Sequence, residues 1–302
     1  MHRAGVPAIL VAFVCVVVGV GSPPRVNAQA LELTIQFDEP SFDLGEPIIA
    51  YVTLTNNDQV SLRVPRRLEP EYGQIIYTVV SAGEERAFVP WALKENERTH
   101  EEIPPGGEVV GLSKIFFGAN GWTFRNPGTY VVEVSYRNEF KGSAELRIDD
   151  PATEEERATA QMVLTDDDVG YFFLFEGGDH LKSAIETLEH IRNEFPESEL
   201  AAYANFTLGK NLSSGFRGFG DQPTRPPDRD LASKYLQASL DVLDDRASLY
   251  YRVEAYSQLA SVYTAMGLEQ QADEAQSRLV EGLAGEFVKL RNRDKFVDAL
   301  IR

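Results

Sequence analysis

The spacing of apolar residues along this chain changes once, from every second position to every third or fourth. Leu31, Leu33, Ile35 and Phe37 alternate with Glu32, Thr34 and Gln36, the period of a strand with one wet face. The turn Asp43-Leu44-Gly45-Glu46-Pro47 leads to a second strand over 48–55, and Asn56-Asn57-Asp58 turns the chain again. Further strands are expected at 61–64, 74–81, 86–89 and 109–117. The clearest places Tyr130, Val132, Val134 and Tyr136 on one face, and Ala144, Leu146 and Ile148 mark the last.

Alternation does not return after Asp149-Asp150-Pro151, so a helical domain is expected from there. Asp150 is read as its first cap, with Pro151 in the first helical position and Glu154 to Glu156 near the positive end. A short helix is expected from Asp166, carrying Val169, Phe172, Phe173 and Leu174. The triplet Asp166-Asp167-Asp168 lacks the alternating ligands, central Gly and terminal Glu of a calcium loop, and reads as a helix start.

The strongest helical signal is a hairpin over 179–212. Leu181, Ala184 or Ile185, Leu188, Ile191 and Phe195 form one stripe; Pro196 stops it, and Ser198 can cap the next helix. Leu200, Tyr203, Phe206 or Thr207, and Leu208 continue the logic in the second arm. Small Ala184, Ala201, Ala204 and Gly209 would let the arms approach closely. Further helices are expected at 231–240, 249–266, 271–287 and 296–301. The loop 213–230 has no periodicity; Phe216 and Phe219 either pack back on the helices or, with Arg217, contact a partner.

Two resemblances follow from these residues. Ala184, Leu188, Ile191 and Pro196 fall as in the closing half of a tetratricopeptide repeat (TPR). Leu259, Ala260, Tyr263, Gly267 and Ala272 resemble a second copy, with Ala260 in place of the usual Gly. The run Phe195-Pro196-Glu197-Ser198 followed by Leu208-Gly209 is similar to TPR proteins of the bacterial envelope, such as the tol–pal-associated ones. The stretch from Gly121 to Tyr136, with Asn126-Pro127-Gly128 before the strand, resembles bacterial immunoglobulin-like domains, in which Tyr130 would be a tyrosine corner. The resemblances imply an all-β immunoglobulin-like sandwich over 31–148 followed by all-α TPR-like hairpins over 150–302. They also imply a peptide-binding groove lined by Tyr203, Phe206, Thr207 and Lys210 from one repeat and by Glu254, Ser257, Gln258 and Ser261 from the other.

Composition adds an address. His2 and Arg3 precede an apolar run from Ala8 to Val20, then Gly21-Ser22-Pro23-Pro24 and Val26-Asn27-Ala28. This reads as a secretory signal over 1–28, cut after Ala28 or Ala30, and the run is short for a membrane span. Cys15, the only cysteine, would leave with it. A periplasmic or secreted location is expected, with no transmembrane segment in the mature chain.

The net charge of −18, spread over both halves, disfavours nucleic acid. Arg63, Arg66 and Arg67 form a basic cluster where a ligand carboxylate would be sought first, and Trp91 and Trp122 are either packed or exposed platforms. There is no HExxH, no GxSxG and no cysteine to complete a metal site, so neither a catalytic residue nor a cofactor is assigned. The expected function is a non-enzymatic adaptor binding an envelope protein or peptide. The alternative is an inhibitor or carbohydrate-binding sandwich presented on helices.

Overall fold

The computed structural model describes residues 30–95, 100–217, 224–243 and 248–286. The signal segment, Phe219 and the expected helix at 296–301 lie outside them. A mostly-β region comes first and a run of helices follows.

The strands are β1 (Leu31–Phe37), β2 (Ser41–Asp43), β3 (Ile49–Asn56), β4 (Leu62–Pro65), β5 (Ile75–Ser81) and β6 (Glu84–Ala87). After them come β7 (His100–Ile103), β8 (Glu108–Lys114), β9 (Phe117–Gly118), β10 (Gly121–Trp122), β11 (Gly128–Tyr136) and β12 (Phe140–Asp149). One sheet has the order β1-β3-β8 and is antiparallel. The other has the order β2-β12-β11-β5-β6, with β2 parallel to β12 and the remaining pairs antiparallel. β4 pairs with β7, and β9 with β10.

Alternation sets the faces. In β11, Tyr130, Val132, Val134 and Tyr136 are all buried, as the period of two requires. The Tyr130 hydroxyl donates to the Asn126 carbonyl at 2.7 Å, pinning the chain before its strand. The Tyr77 hydroxyl of β5 donates to Ser113 of β8 at 2.7 Å, joining the two sheets across their inner faces. β3 departs from the alternating pattern: Ile49 to Leu54 are buried on both faces, because the helices cover the outer one. The three-stranded sheet therefore lies between the other sheet and the helical layer. The expected strand at 109–117 is broken at Ile115 and Phe116, where the chain turns into the short β9.

The helices are α1 (Glu154–Thr165), α2 (Asp167–Phe175), α3 (Lys182–Glu194), α4 (Glu199–Ser213), α5 (Arg229–Leu243), α6 (Leu249–Ala265) and α7 (Glu269–Glu286). The first starts later than Asp150 and Pro151 suggest. Thr153 caps it, and Glu156 closes the reciprocal capping box that fixes this start. Asp166 caps α2 and Ser198 caps α4, as read from sequence. Gly209 serves α5 rather than the other hairpin arm: a Cβ on it would stand 2.9 Å from Leu236 Cγ.

One continuous cluster of buried residues runs from Leu31 through both sheets to Ala275. The helices are not a separate body leaning on the sheets; they complete the same core.

Candidate functional site

The groove residues expected from the sequence lie on α4 and α6. Leu200 through Gly209 of α4 are buried without interruption, so this helix is central and has no solvent face at that level. Tyr203 and Phe206 pack edge-on against Tyr251 at centroid distances of 5.0 and 5.2 Å, and Thr207 returns its hydroxyl to the Tyr203 carbonyl. These three side chains sit inside the helical layer, where no peptide reaches them. The clue was in the sequence: Leu-Ala-Ala-Tyr-Ala-Asn-Phe-Thr-Leu-Gly is apolar or small nearly all round.

Lys210 and Glu254 do come together. Lys210 Nζ lies 2.6 Å from Glu254 Oε2 and also pairs with Glu176, at the C-terminus of α2. Glu176 in turn takes Lys114 of β8 at 2.5 Å and accepts from the Tyr250 hydroxyl at 2.5 Å. Lys114 donates as well to the Leu174 carbonyl at 3.0 Å. Two ammoniums and two carboxylates thus form a neutral network that ties β8, α2, α4 and α6 together.

The electrostatics follow from depth. Burial alone would raise the Glu176 carboxyl, but Lys114 and Lys210 overcome it and hold it at about 2. Lys114 is deep enough that burial outweighs Glu176 and lowers its ammonium below the ordinary value. For Lys210, burial is opposed by two carboxylates, Glu176 and Glu254, which win and raise it. Each ion is matched, so the network serves as a brace, with no free acid or base aimed at a cleft.

Of the other groove positions, Ser257 and Ser261 are exposed on α6 and Gln258 is half-buried. The exposed stripe they begin reaches Ala265, which with Met266 lines a recess of about 610 Å³. Leu212 and the segment from Arg225 to Asp230 form its other wall. The loop limb is held by Arg225, whose guanidinium meets both oxygens of Asp179 at 2.6 and 2.9 Å and the Asn211 carbonyl at 2.8 Å. Phe216 pairs with Arg225 through backbone bonds and stacks on His180 at 6.3 Å, so it packs back on the helices; Arg217 is exposed.

Trp122 is buried among Phe116, Phe117 and Phe173. Trp91 is 48% exposed, with its ring 4.7 Å from Tyr171 and 6.1 Å from Phe175. Phe175 is 49% exposed, and Leu93, two residues along the chain from Trp91, is 75% exposed. In the basic cluster, Arg67 donates to the Tyr72 hydroxyl at 2.7 Å and lies over its ring. Among the described residues, Asp43, Glu46 and Glu199 are the one carboxylate group close enough to hold an ion. Among the described residues, no helix is long and apolar enough to cross a membrane.

Glu176, Lys114, Asp179 and Arg225 were not singled out in the sequence. Glu176-Gly177-Gly178 marks a helix end, but nothing local connects it to a lysine on a distant strand.

No protein-family model and no curated relative matches the chain. Among solved structures it is similar to the alkylpurine DNA glycosylase AlkC of Pseudomonas fluorescens, at 17% identity and a TM-score of 0.26, over 40% of this chain and 31% of that one. It is similar to the β-glucosidase EmGH1 of Erythrobacter marinus at 15% identity and a TM-score of 0.25, over 39% of this chain and 15% of that one. The CARDB domain of a Pyrococcus furiosus protein gives 14% identity and a TM-score of 0.23, over 39% of this chain and 87% of that one. The chain spans less than a third of the length of the glycosylase and of the glucosidase. Likenesses at such scores carry nothing about function.

Proposed function

We propose that this chain is an exported, non-enzymatic adaptor of the bacterial cell envelope that binds another protein or peptide. The observation that carries the reading is the partly exposed ring cluster of Trp91, Tyr171 and Phe175, in which Trp91 and Phe175 are about half exposed and Tyr171 is half-buried, with exposed Leu93 two residues along the chain from Trp91. The Tyr171 and Phe175 rings lie nearly parallel, 8° apart, and Trp91 stands edge-on to both. Rings held this way offer contact area with little entropy left to lose, which suits a binding anchor. The buried Tyr130 with its backbone bond supports the immunoglobulin-like reading. The short connections within α3–α4 and α6–α7 support the TPR-like one. On the helical side the contact surface is the stripe of Ser257 and Ser261 leading to the recess, in place of Tyr203, Phe206 and Thr207.

The test is a photo-crosslinking residue at Leu93, at Ser261 and, as a control, at exposed Glu133 in the intact envelope. A discrete product from Leu93 or Ser261 that is absent at Glu133, and lost at Leu93 when Trp91→Ala and Phe175→Ala are combined, is expected. Equal products from all three positions would remove the reading. Half-exposed Trp91 also favours the alternative, an inhibitor or glycan-binding module. Saturable quenching of Trp91 fluorescence by a soluble oligosaccharide, without crosslinked protein, would select it.

A further inference from the structure

The sheet edge at β6 carries a charge where the register calls for an apolar residue. Arg86 stands opposite buried Val79 in the β5–β6 pair. Directly opposed residues share a face, so Arg86 lies on the core side of the sheet. β6 is the outermost strand, and there the Arg86 side chain borders a recess of about 280 Å³. The β9–β10 hairpin forms the opposite wall. It is fixed to the chain after β6 by the Ala119 N–H, which donates to the Val89 carbonyl at 2.8 Å. Gly118 permits this approach, since a Cβ on it would stand 2.2 Å from the same oxygen.

The lining is one-sided in charge. Val79, Phe88, Val89 and Trp122 supply its apolar part, and Arg86 and Asn120 its polar part. No carboxylate lines it, although the chain has 47 Asp and Glu residues. Among the described residues, Arg86 has one hydrogen-bond partner, the Thr123 carbonyl at 3.4 Å, so most of its five N–H donors are left over. The neighbouring guanidinium is spent: Arg125, beside Gly121, donates to the Trp122 and Asn120 carbonyls and has Asp167 close by. In the basic cluster where the sequence led one to look for a carboxylate, Arg67 is engaged with Tyr72. Trp122 Nε1 is sealed from solvent, so polar contacts to a ligand fall to exposed Arg86 and Asn120.

We propose that this recess binds a small amphipathic carboxylate, an acid group on an apolar or aromatic body. The body lies against Phe88, Val89 and the Trp122 ring; the carboxylate meets the Arg86 fork, with the Asn120 amide as a second donor. An inward charge on an edge strand also guards against pairing with another sheet. Lys serves that guard as well as Arg, whereas only the planar Arg fork takes both oxygens of one carboxylate. The site is separate from the Trp91 ring cluster and does not rest on the adaptor reading.

The chain has two tryptophans, so Trp91→Phe leaves Trp122 as the reporter within the full chain. In that background phenylacetate should change Trp122 emission saturably, and neutral phenylacetamide should bind about tenfold more weakly. Arg86→Lys should lose several-fold in phenylacetate affinity, and Arg86→Met should bind acid and amide alike. The acid-to-amide ratio separates recognition from a structural guard, and Arg86→Lys reads it even if the Met variant fails to fold. Equal binding of acid and amide by the parent, a ratio unchanged in both Arg86 variants, or no saturable change up to the millimolar range would overturn the proposal. A short peptide ending in a free Phe carboxylate, set against its amidated twin, identifies the source. Tighter binding of the free-ended peptide than of phenylacetate supports the site and assigns it to chain ends. Exclusion of both peptides while phenylacetate binds supports the site and assigns it to free organic acids.

Discussion

Gly170 lies against the ring of Phe117, so close that a Cβ on it would stand 2.2 Å from the ring's Cδ2. This approach brings α2 down onto β9 and β10 and sets Tyr171 and Phe173 around Phe117 and Trp122. Helix propensity alone favours Ala over Gly by about 1 kcal/mol. Overpacking a rigid ring costs about 1–3 kcal/mol or more, and here neither backbone can retreat freely. Gly170→Ala is expected to lower the thermal midpoint by several degrees; a raised midpoint would show that the contact is not rigid.

Replacing Glu176 by Gln leaves Lys114 and Lys210 with one carboxylate between them. Removing one partner of a buried pair costs about 3–5 kcal/mol, and the partial exposure of both lysines places this case at the lower end. Since Glu176 is held below its ordinary 4.5, its stabilisation is present above that value and fades as pH falls toward about 2. Urea unfolding should therefore show wild type well above Glu176→Gln at neutral pH, with the gap closing in strong acid. A pH-independent gap would mean the brace acts by shape alone.

The two tryptophans should part company on truncation. Trp122→Ala empties a buried site and is expected to cost about 3–5 kcal/mol. Trp91→Ala removes a half-exposed ring and should cost about 1 kcal/mol or less, while weakening the Leu93 crosslink that the double variant with Phe175→Ala abolishes. Comparable destabilisation by both would mark Trp91 as a structural residue.

Arg225 fastens the segment 224–228 to Asp179 and Asn211. Burial works to raise the Asp179 carboxyl, but Arg225 and Asn211 prevail and lower it, so the tie is charged at neutral pH. Arg225→Ala is expected to speed trypsin cleavage at Arg217 and Arg229 by about tenfold with global stability changed by about 1 kcal/mol. Unchanged cleavage would show that the Phe216–Arg225 backbone pair suffices.

Much of the local structure was legible. The buried face of β11, the caps Asp166 and Ser198, and the ends of α3 near Pro196 are set by neighbours within a few residues. Asp150-Pro151 offers a cap that competes in sequence with Thr153, and only the bond from the Thr153 N–H to the Glu156 carboxylate shows which one closes. The site was less legible. The expected groove residues Lys210 and Glu254 pair directly, and Lys210 also meets Glu176, whose place at the seam depends on how α2 lands.

The sequence by itself determined where the period changes, which residues begin and end most helices, and which stripes must be buried, since these depend on contacts three or four residues long. Tertiary structure decided what covers each stripe. It buried β3 on both faces, enclosed α4 together with Tyr203, Phe206 and Thr207, and left Trp91 and Phe175 outside. Apolar surface is attracted to any apolar surface, so a pattern can demand burial without naming the partner; the choice falls to the packing of the whole chain.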